Sequence, residues 1–176
     1  MEPLFTTLAA VKSLRLYLRP LTVDDAPAFQ DMTNDPRITE MVHFLDSPFT
    51  LEAAEILLRG NQGGVDCFWG VWLKGASELM GTVGMNLCGL HEIEIGYWFS
   101  PAFHGFGYAS ESIRNLLPIL LSHYPTRHIY AECRPANTAS WRLLERVGFK
   151  AIGLEGHRPG RLKLAYHGDR TTSDEP

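Results

Sequence analysis

Residues 100–110 run Ser-Pro-Ala-Phe-His-Gly-Phe-Gly-Tyr-Ala-Ser, and this stretch decides the fold because it joins a strand-like segment to a helix-like one. Gly105 and Gly107 lack a Cβ atom, so the backbone can curl closely around a bound group. The first amides of the following helix have no partner within that helix, and they lie at the positive end of its dipole. The turn therefore predicts an anion site for a phosphate or pyrophosphate. Glycine at such a turn is also common for backbone reasons alone.

The segments on either side of the turn predict a strand and a helix. Residues 91–99 alternate with the period of a strand. One face carries Ile93, Ile95, Tyr97 and Phe99, and the other carries Glu92, Glu94, Gly96 and Trp98. After the turn, apolar residues recur at helical spacing over residues 109–124. Pro118 falls inside this helix and is expected to kink or shorten it.

The remaining patterns predict a mixed α/β fold. Thr22 and Thr50 are expected to cap helices that precede the main sheet, and Asn34-Asp35-Pro36 is expected to separate two helices. Short connections between the early strands favour antiparallel pairs, whereas the helix after the glycine turn favours a parallel crossover. The expected fold is a twisted mixed sheet, mostly antiparallel with a central parallel crossover, flanked by helices. The predicted strands are 14–18, with Leu14, Leu16 and Leu18 facing inward, then 68–73, 78–87, 91–99, 127–133, 149–154 and 161–166.

Composition limits the classes to which this protein can belong. The 176 residues suit a single domain, residues 1–176, with a core at about 14–166 and a polar, frayed tail at 169–176. The formal net charge of −4 and the absence of a basic stripe argue against nucleic-acid binding. No apolar run is long enough to span a membrane, and residues 1–10 do not resemble a secretory signal, so we expect a cytoplasmic protein. The three cysteines are widely spaced, which predicts reduced core thiols and no cysteine-rich metal site.

Four collinear motifs resemble the GNAT superfamily of acyl-CoA-dependent N-acetyltransferases. Residues 104–109 match the family signature Q/R-x-x-G-x-G/A at Gly107 and Ala109, while His104 departs from it at the first position. The other three are the segment 18–36, Glu94-Ile95-Gly96-Tyr97, and residues 137–140 followed by Gly148-Phe149. Within the superfamily, the chain is similar to the branch of the ribosomal-protein N-terminal alanine acetyltransferases.

The resemblance implies that acetyl-CoA is the co-substrate and that no metal is needed. The amides of the glycine turn would hold the coenzyme A pyrophosphate, and the end of the preceding strand would lie beside the pantetheine arm. Asn137 would hydrogen-bond the arm, or cap the next helix, or do both. The implied cofactor-binding residues are Tyr97, Trp98, Phe99, His104, Gly105, Phe106, Gly107, Tyr108, Ala109, Ser110 and Asn137.

Two residues are candidates for the acetyl-transfer chemistry. Glu94 lies on the strand face next to the expected thioester, so it could act as the base directly or through a water, with Glu92 as the alternative. Both could instead be solvated surface carboxylates. Ser140 matches the position at which this branch places a serine near the sulfur, although it could simply belong to a helix turn. Glu155 and His157, between the last two strands, stay possible as well.

Two other functions share parts of this pattern. A dinucleotide-binding oxidoreductase would use a similar glycine turn, but antiparallel strands precede the turn here and residues 120–130 contain no carboxylate. A catalytically silent acyl-CoA-binding module would have the same fold. The amine acceptor could be a protein N-terminus, a peptide or a small amine. The oligomeric state could be a monomer or a homodimer.

Overall fold

A computed structural model of the chain describes residues 2–168, so the tail predicted at 169–176 lies outside the described residues. The strands are β1 (Val11–Lys12), β2 (Leu16–Pro20), β3 (Asp66–Leu73), β4 (Leu79–Cys88), β5 (Glu92–Phe99), β6 (His128–Cys133), β7 (Phe149–Glu155) and β8 (Leu162–Tyr166). The helices are α1 (Ala26–Thr33), α2 (Pro36–Thr39), α3 (Leu51–Gly60), α4 (Tyr108–His123) and α5 (Thr138–Arg146).

The strands form one sheet in the order β1-β2-β3-β4-β5-β6-β8-β7. Neighbouring strands are antiparallel except β5 and β6, which run parallel and are joined through α4. This arrangement confirms the expected mixed sheet with a central parallel crossover. The short connections account for the neighbouring pairs β3-β4, β4-β5 and β7-β8, and the helical crossover accounts for the parallel pair β5-β6.

Helices cover both faces of the sheet because alternate strand residues are apolar on each side. On one face, Trp69, Val83 and Ile95 pack with apolar residues of α4 and α5, including Ile113 and Leu144. On the other face, Trp72, Leu79 and Trp98 pack with residues of α1 and α3, including Phe29 and Leu58. Trp98 also donates its indole N–H to the Thr33 hydroxyl at 3.1 Å. The strand alternation predicted for residues 91–99 is therefore confirmed.

The first strand begins later than predicted. Leu14 was expected to face inward, but it is 87% exposed and lies in the turn between β1 and β2, where the Ser13 amide donates to the Leu16 carbonyl. The period-2 pattern continued through this turn by chance, so the prediction for Leu14 is wrong. The two-residue strand β1 was missed because it is too short to show a period.

The helix after the glycine turn is longer than its proline suggests. Pro118 lies inside α4 on the exposed side, and the helix continues to His123. Of the two effects expected of Pro118, shortening of the helix is therefore wrong, and a kink stays a prediction. The buried residues Ile113, Leu117 and Leu120 anchor the helix on both sides of the proline, and this packing offsets the one missing backbone hydrogen bond.

Candidate active site

The central feature of the site is a gap between the two parallel strands. β5 and β6 pair only where Glu92, Ile93 and Glu94 face His128, Ile129 and Tyr130. β5 nevertheless continues to Phe99 and β6 to Cys133, and the other edge of β6 pairs with β8. The strands therefore diverge after Glu94, and the edge of β5 from Ile95 onward is left open. An open strand edge can pair with the amides of an extended ligand.

The gap opens into a cleft of about 1080 Å³ that contains most of the predicted site. The cleft joins the glycine turn, the open end of β5, the start of α5 and the α2 region. It has the size and concave form of a small-molecule site. The predicted residues that line it are Glu94, Tyr97, Trp98, Phe99, His104, Gly105, Gly107, Tyr108, Ala109, Ser110, Asn137 and Ser140. Phe106 does not line the cleft, because its side chain is exposed and stacks on Tyr108 with ring centroids 5.7 Å apart.

The glycine turn has the backbone form that an anion site requires. Gly105 and Gly107 have φ values of 85° and 80°, a region that disfavours any residue with a side chain. Gly107 precedes α4, and the first helical bond runs from the Glu111 amide to the Gly107 carbonyl at 3.0 Å. The amides of residues 108–110 therefore precede the hydrogen-bonded part of the helix. They are available to a ligand oxygen in the cleft.

Three side chains, those of Arg15, Glu111 and His104, hold the turn in place through hydrogen bonds and an ion pair. Arg15 donates from Nη2 to the Phe106 carbonyl at 3.1 Å and is ion-paired with Glu111 at 2.7 Å. Burial alone would raise the pKa of Glu111, but hydrogen bonds from Ser13 and Arg15 outweigh it and hold the pKa below its usual value. His104 contacts the Phe99 carbonyl through Nε2 at 2.9 Å. His104, which departs from the family signature, thus links the turn to the end of β5.

The start of α5 brings two hydroxyls together beside the open strand edge. Asn137 caps the helix by accepting from the Ser140 amide at 3.2 Å, which confirms its capping role. The Ser140 and Tyr97 hydroxyls lie 2.8 Å apart, and either can be the donor. Burial raises the pKa of Tyr97 to about 12, although the hydrogen bond with Ser140 acts against it. The phenol therefore stays protonated at neutral pH.

Glu94 is held in an ion-pair network that the sequence did not reveal. Its carboxylate pairs with both terminal nitrogens of Arg158, one of them at 3.1 Å. Arg158 also donates to Glu132 Oε2 at 3.0 Å and, from Nε, to His43 Nε2 at 3.1 Å. His43 is therefore an acceptor here. Burial and the charges of Arg158 and Arg161 lower the pKa of His43, so the ring is neutral at neutral pH.

Glu132 is the anchor of this network, with a fully buried side chain. Its carboxylate accepts from the His157 amide at 2.6 Å and the Arg158 amide at 3.3 Å, besides the Arg158 guanidinium. Burial alone would raise the pKa of Glu132, but these donors outweigh burial and lower it. A charged residue inside the otherwise apolar stretch of β6 was the one signal in the sequence that could have identified it.

The alternative carboxylates lie elsewhere. Glu92 pairs with Lys163 at 2.5 Å in a second concavity of about 540 Å³ and does not line the main cleft. Glu155 is exposed on β7. His157 contacts Glu132 through Nδ1 at 3.0 Å, so it supports the network from outside. Of the three carboxylates proposed from the sequence, Glu94 is the one that lies in the cleft, where β5 and β6 diverge.

Two general features bear on the kind of site present. Within residues 2–168, no group of three or more His, Cys, Asp or Glu side chains is placed to hold a metal ion. In the same part of the chain, no helix has both the length and the apolar character needed to cross a membrane. Cys67, Cys88 and Cys133 are free thiols.

Comparison with known proteins points to one family. The family profile described as "Acetyltransferase (GNAT) domain" matches residues 15–150. The chain is 28% identical to the uncharacterized N-acetyltransferase YnaD of Bacillus subtilis, over 82% of this chain and 84% of that protein. A GNAT acetyltransferase structure from Bacillus anthracis superposes with a TM-score of 0.76 at 27% identity, covering 89% of this chain and 97% of that one. RimL, a ribosomal L7/L12 alpha-N-protein acetyltransferase solved with coenzyme A, shares the fold with a TM-score of 0.77 at 19% identity, covering 89% and 96%.

Proposed function

This chain belongs to the GNAT acetyltransferase family and is an acyl-CoA-dependent acetyltransferase, and from that premise we propose that it acetylates a primary amine by direct attack in a ternary complex. The observation that carries the proposal is the divergence of β5 and β6 in the same cleft as the amides of the glycine turn. One cleft thus offers an edge for an extended amide-containing arm and a cradle for a diphosphate. It also contains a carboxylate and two hydroxyls between them.

The proposed arrangement of acetyl-CoA follows from these parts. The amides of residues 105–110 hold the pyrophosphate, since the His104 amide already donates to the Pro101 carbonyl at 3.2 Å. The open edge of β5 at residues 97–99 pairs with the pantetheine amides. The cap at Asn137 places the start of α5 on the other side of the arm. The thioester then lies where the strands diverge, between Glu94 and Ser140. These positions are supported by the fit of the residues to the group.

Glu94 is proposed to accept the proton from the attacking amine, through a water. An α-amine, with a pKa near ~7.8, is about 3.5 kcal/mol easier to deprotonate than a lysine near ~10.4. An acceptor of low basicity therefore demands less of the base, which supports a protein or peptide N-terminus. This is the acceptor class of the ribosomal-protein branch that the motifs resemble.

Ser140 is proposed to donate a hydrogen bond to the departing thiolate. A coenzyme A thiolate resembles that of cysteine in basicity, so one well-placed hydroxyl would help it leave. Tyr97 orients this hydroxyl through their 2.8 Å contact. Because both groups lie beside the open edge of β5, they can act without any movement of the sheet.

The free thiols also suit a reducing compartment, and a cytoplasmic location stays a prediction.

A panel of amines tests the proposed function. The protein is incubated with acetyl-CoA and either N-terminal peptides, lysine side-chain analogues or small amines, and free thiol release is measured. We expect turnover with α-amine acceptors in preference to lysine analogues. Thermal unfolding with acetyl-CoA or with NAD gives an independent measurement, since a ligand that binds the folded state raises the midpoint. Stabilisation by NAD but not by acetyl-CoA would contradict the proposal.

A further inference from the structure

Arg161 differs from Arg158 and Arg37, two other arginines that line the cleft, because it has no ion pair in the described part of the chain. Arg158 is neutralised by Glu94 and Glu132, and Arg37 by Asp35 at 2.6 Å. Arg161 has no carboxylate partner among residues 2–168, and its contacts are two backbone carbonyls. These are the Glu132 carbonyl at 3.5 Å and the Met41 carbonyl at 3.4 Å. Both distances exceed the usual range of about 2.7–3.2 Å, so these bonds are weak.

The charge of Arg161 is also poorly compensated by its surroundings. The side chain is half-buried, and burial together with repulsion from Arg158 and Arg134 lowers the pKa of Arg161, outweighing the attraction of the Glu132 carboxylate. A guanidinium nevertheless stays protonated in proteins, so the site keeps its positive charge. A half-buried cation of this kind gains most from a carboxylate, which its planar fork can bind with two hydrogen bonds.

The position of Arg161 relates it to the acceptor and not to the glycine turn. It bridges the backbone of β6 at Glu132 and the segment after α2 at Met41. Glu94 faces Tyr130 in the register of β5 and β6. Glu132 lies two residues beyond Tyr130 on β6, so the Cα atoms of Tyr130 and Glu132 are roughly 7 Å apart. A carboxylate held by Arg161 would therefore be a few bonds from an amine attacking beside Glu94.

We infer that Arg161 binds a carboxylate of the acceptor, so that the preferred substrate is a primary amine carrying a carboxylate within a few bonds of its nitrogen. This inference rests on the proposed function, because it assigns the substrate class of the same cleft. The carboxylate could be the α-carboxylate of a free amino acid or an acidic side chain near the N-terminus of a peptide. Both sources present the same chemistry to Arg161.

Matched acceptor pairs test the inference. One pair is leucine and leucinamide, and the other is two amidated peptides that begin Ala-Asp or Ala-Asn, all with saturating acetyl-CoA. For each pair, the ratio of kcat/KM for the acid to that for the amide is measured in the wild type and in Arg161→Gln. Dividing the two ratios cancels the different basicity of the amines. We expect the ratio to fall on the order of 10- to 100-fold in the variant, the range for a charge-assisted pair.

The controls separate recognition of the carboxylate by Arg161 from a loss of folding and from a general effect of removing one positive charge. Arg59→Gln removes the same charge from an exposed i,i+4 pair on α3 and should leave the ratio unchanged. Arg161→Lys should keep part of the preference, and thermal unfolding with acetyl-CoA checks that each variant folds. A response of the leucine pair alone assigns the α-carboxylate, and a response of the peptide pair alone assigns the side chain. Unchanged ratios in both pairs overturn the inference, while thiol release with any amine would leave the proposed function intact.

A binding measurement covers the case in which none of these acceptors turns over. N-acetyl-leucine and N-acetyl-leucinamide are added to the protein with and without coenzyme A, and the shift in the unfolding midpoint is recorded. The acid should stabilise the wild type more than the amide does, and Arg161→Gln should abolish that difference. Equal shifts in the wild type overturn the inference.

Discussion

The glycine turn is one continuous stretch, residues 100–110, whereas the charge network at the other end of the cleft joins distant segments of the chain. The diphosphate site proposed in the turn consists of backbone amides and needs only glycine at two positions of positive φ. The network works through side chains, and its central pair, Glu94 and Arg158, is separated by 64 residues. A backbone site tolerates changes in its side chains, and a side-chain network does not. The two ends should therefore respond differently to substitution.

The largest effect is expected at the network end, with Glu94→Gln. If Glu94 is the base, kcat should fall on the order of 10²- to 10⁴-fold, because the amide cannot accept the proton. The affinity for acetyl-CoA should stay within about twofold, since the glycine turn is untouched. Steady-state kinetics and the thermal shift with acetyl-CoA measure the two quantities. Glu92→Gln, on the same strand face but outside the cleft, is the matched comparison. Unchanged kcat in Glu94→Gln would remove this residue from the chemistry.

Glu132→Gln tests whether the network end also stabilises the fold. The substitution weakens the bonds to Arg158 and to two backbone amides at a fully buried position, so we expect a loss of about 1–3 kcal/mol in the free energy of unfolding at pH 7. Denaturant unfolding at several pH values measures it.

The pH dependence of that loss has a definite sign. The folded-state pKa of Glu132 is lowered, so its contribution is complete above the unfolded pKa of roughly 4.3 and is lost as the pH falls through the folded pKa. The gap between wild type and variant should therefore narrow in acid. A gap that is constant from pH 7 to pH 3 would show that the charge of Glu132 plays no part.

Gly107→Ala tests the turn end. At a φ of 80° a Cβ atom costs roughly 1–2 kcal/mol, and the nearest atom, Arg15 Nη2 at 3.7 Å, adds no clash. If the turn keeps its shape, stability falls by that amount. If the turn relaxes, acetyl-CoA binds about 5- to 30-fold more weakly. Gly60→Ala is the matched control, because its φ is −59° and nothing lies within 4 Å. No change in either quantity would argue against the turn as the diphosphate site.

The contrast between the two ends also explains what the sequence could predict. The fold was predictable because the strand alternation at 91–99, the glycine turn and the helical spacing after it are local patterns. The backbone form of the turn was predictable for the same reason. The prediction for Leu14 was wrong because a period of two extended by chance into a turn. The shortening expected at Pro118 was wrong because packing on both sides offsets one missing hydrogen bond.

The network could not be predicted because nothing local indicates which charges meet. Arg158 follows β7 in a connection that matched no family motif, and only the folded sheet brings it to Glu94 and Glu132. Arg161 and His43 likewise have ordinary surroundings in the sequence. The unusual feature was Glu132 among apolar residues of β6, which indicated a buried charge but not its partner.

The smallest effect is expected where the two ends meet, at Ser140. In the proposed mechanism, Ser140→Ala removes one hydroxyl hydrogen bond to a sulfur whose charge is only partly developed in the transition state, so kcat should fall about 2- to 10-fold. Tyr97→Phe removes the group that orients this hydroxyl and should produce part of the same loss, with little added loss in the double variant. Steady-state kinetics with a good acceptor checks all three. A wild-type rate in Ser140→Ala, with a loss in Tyr97→Phe, would instead make the Tyr97 phenol the proton donor. The leaving thiolate would then be protonated by a residue of β5 rather than by a residue of α5.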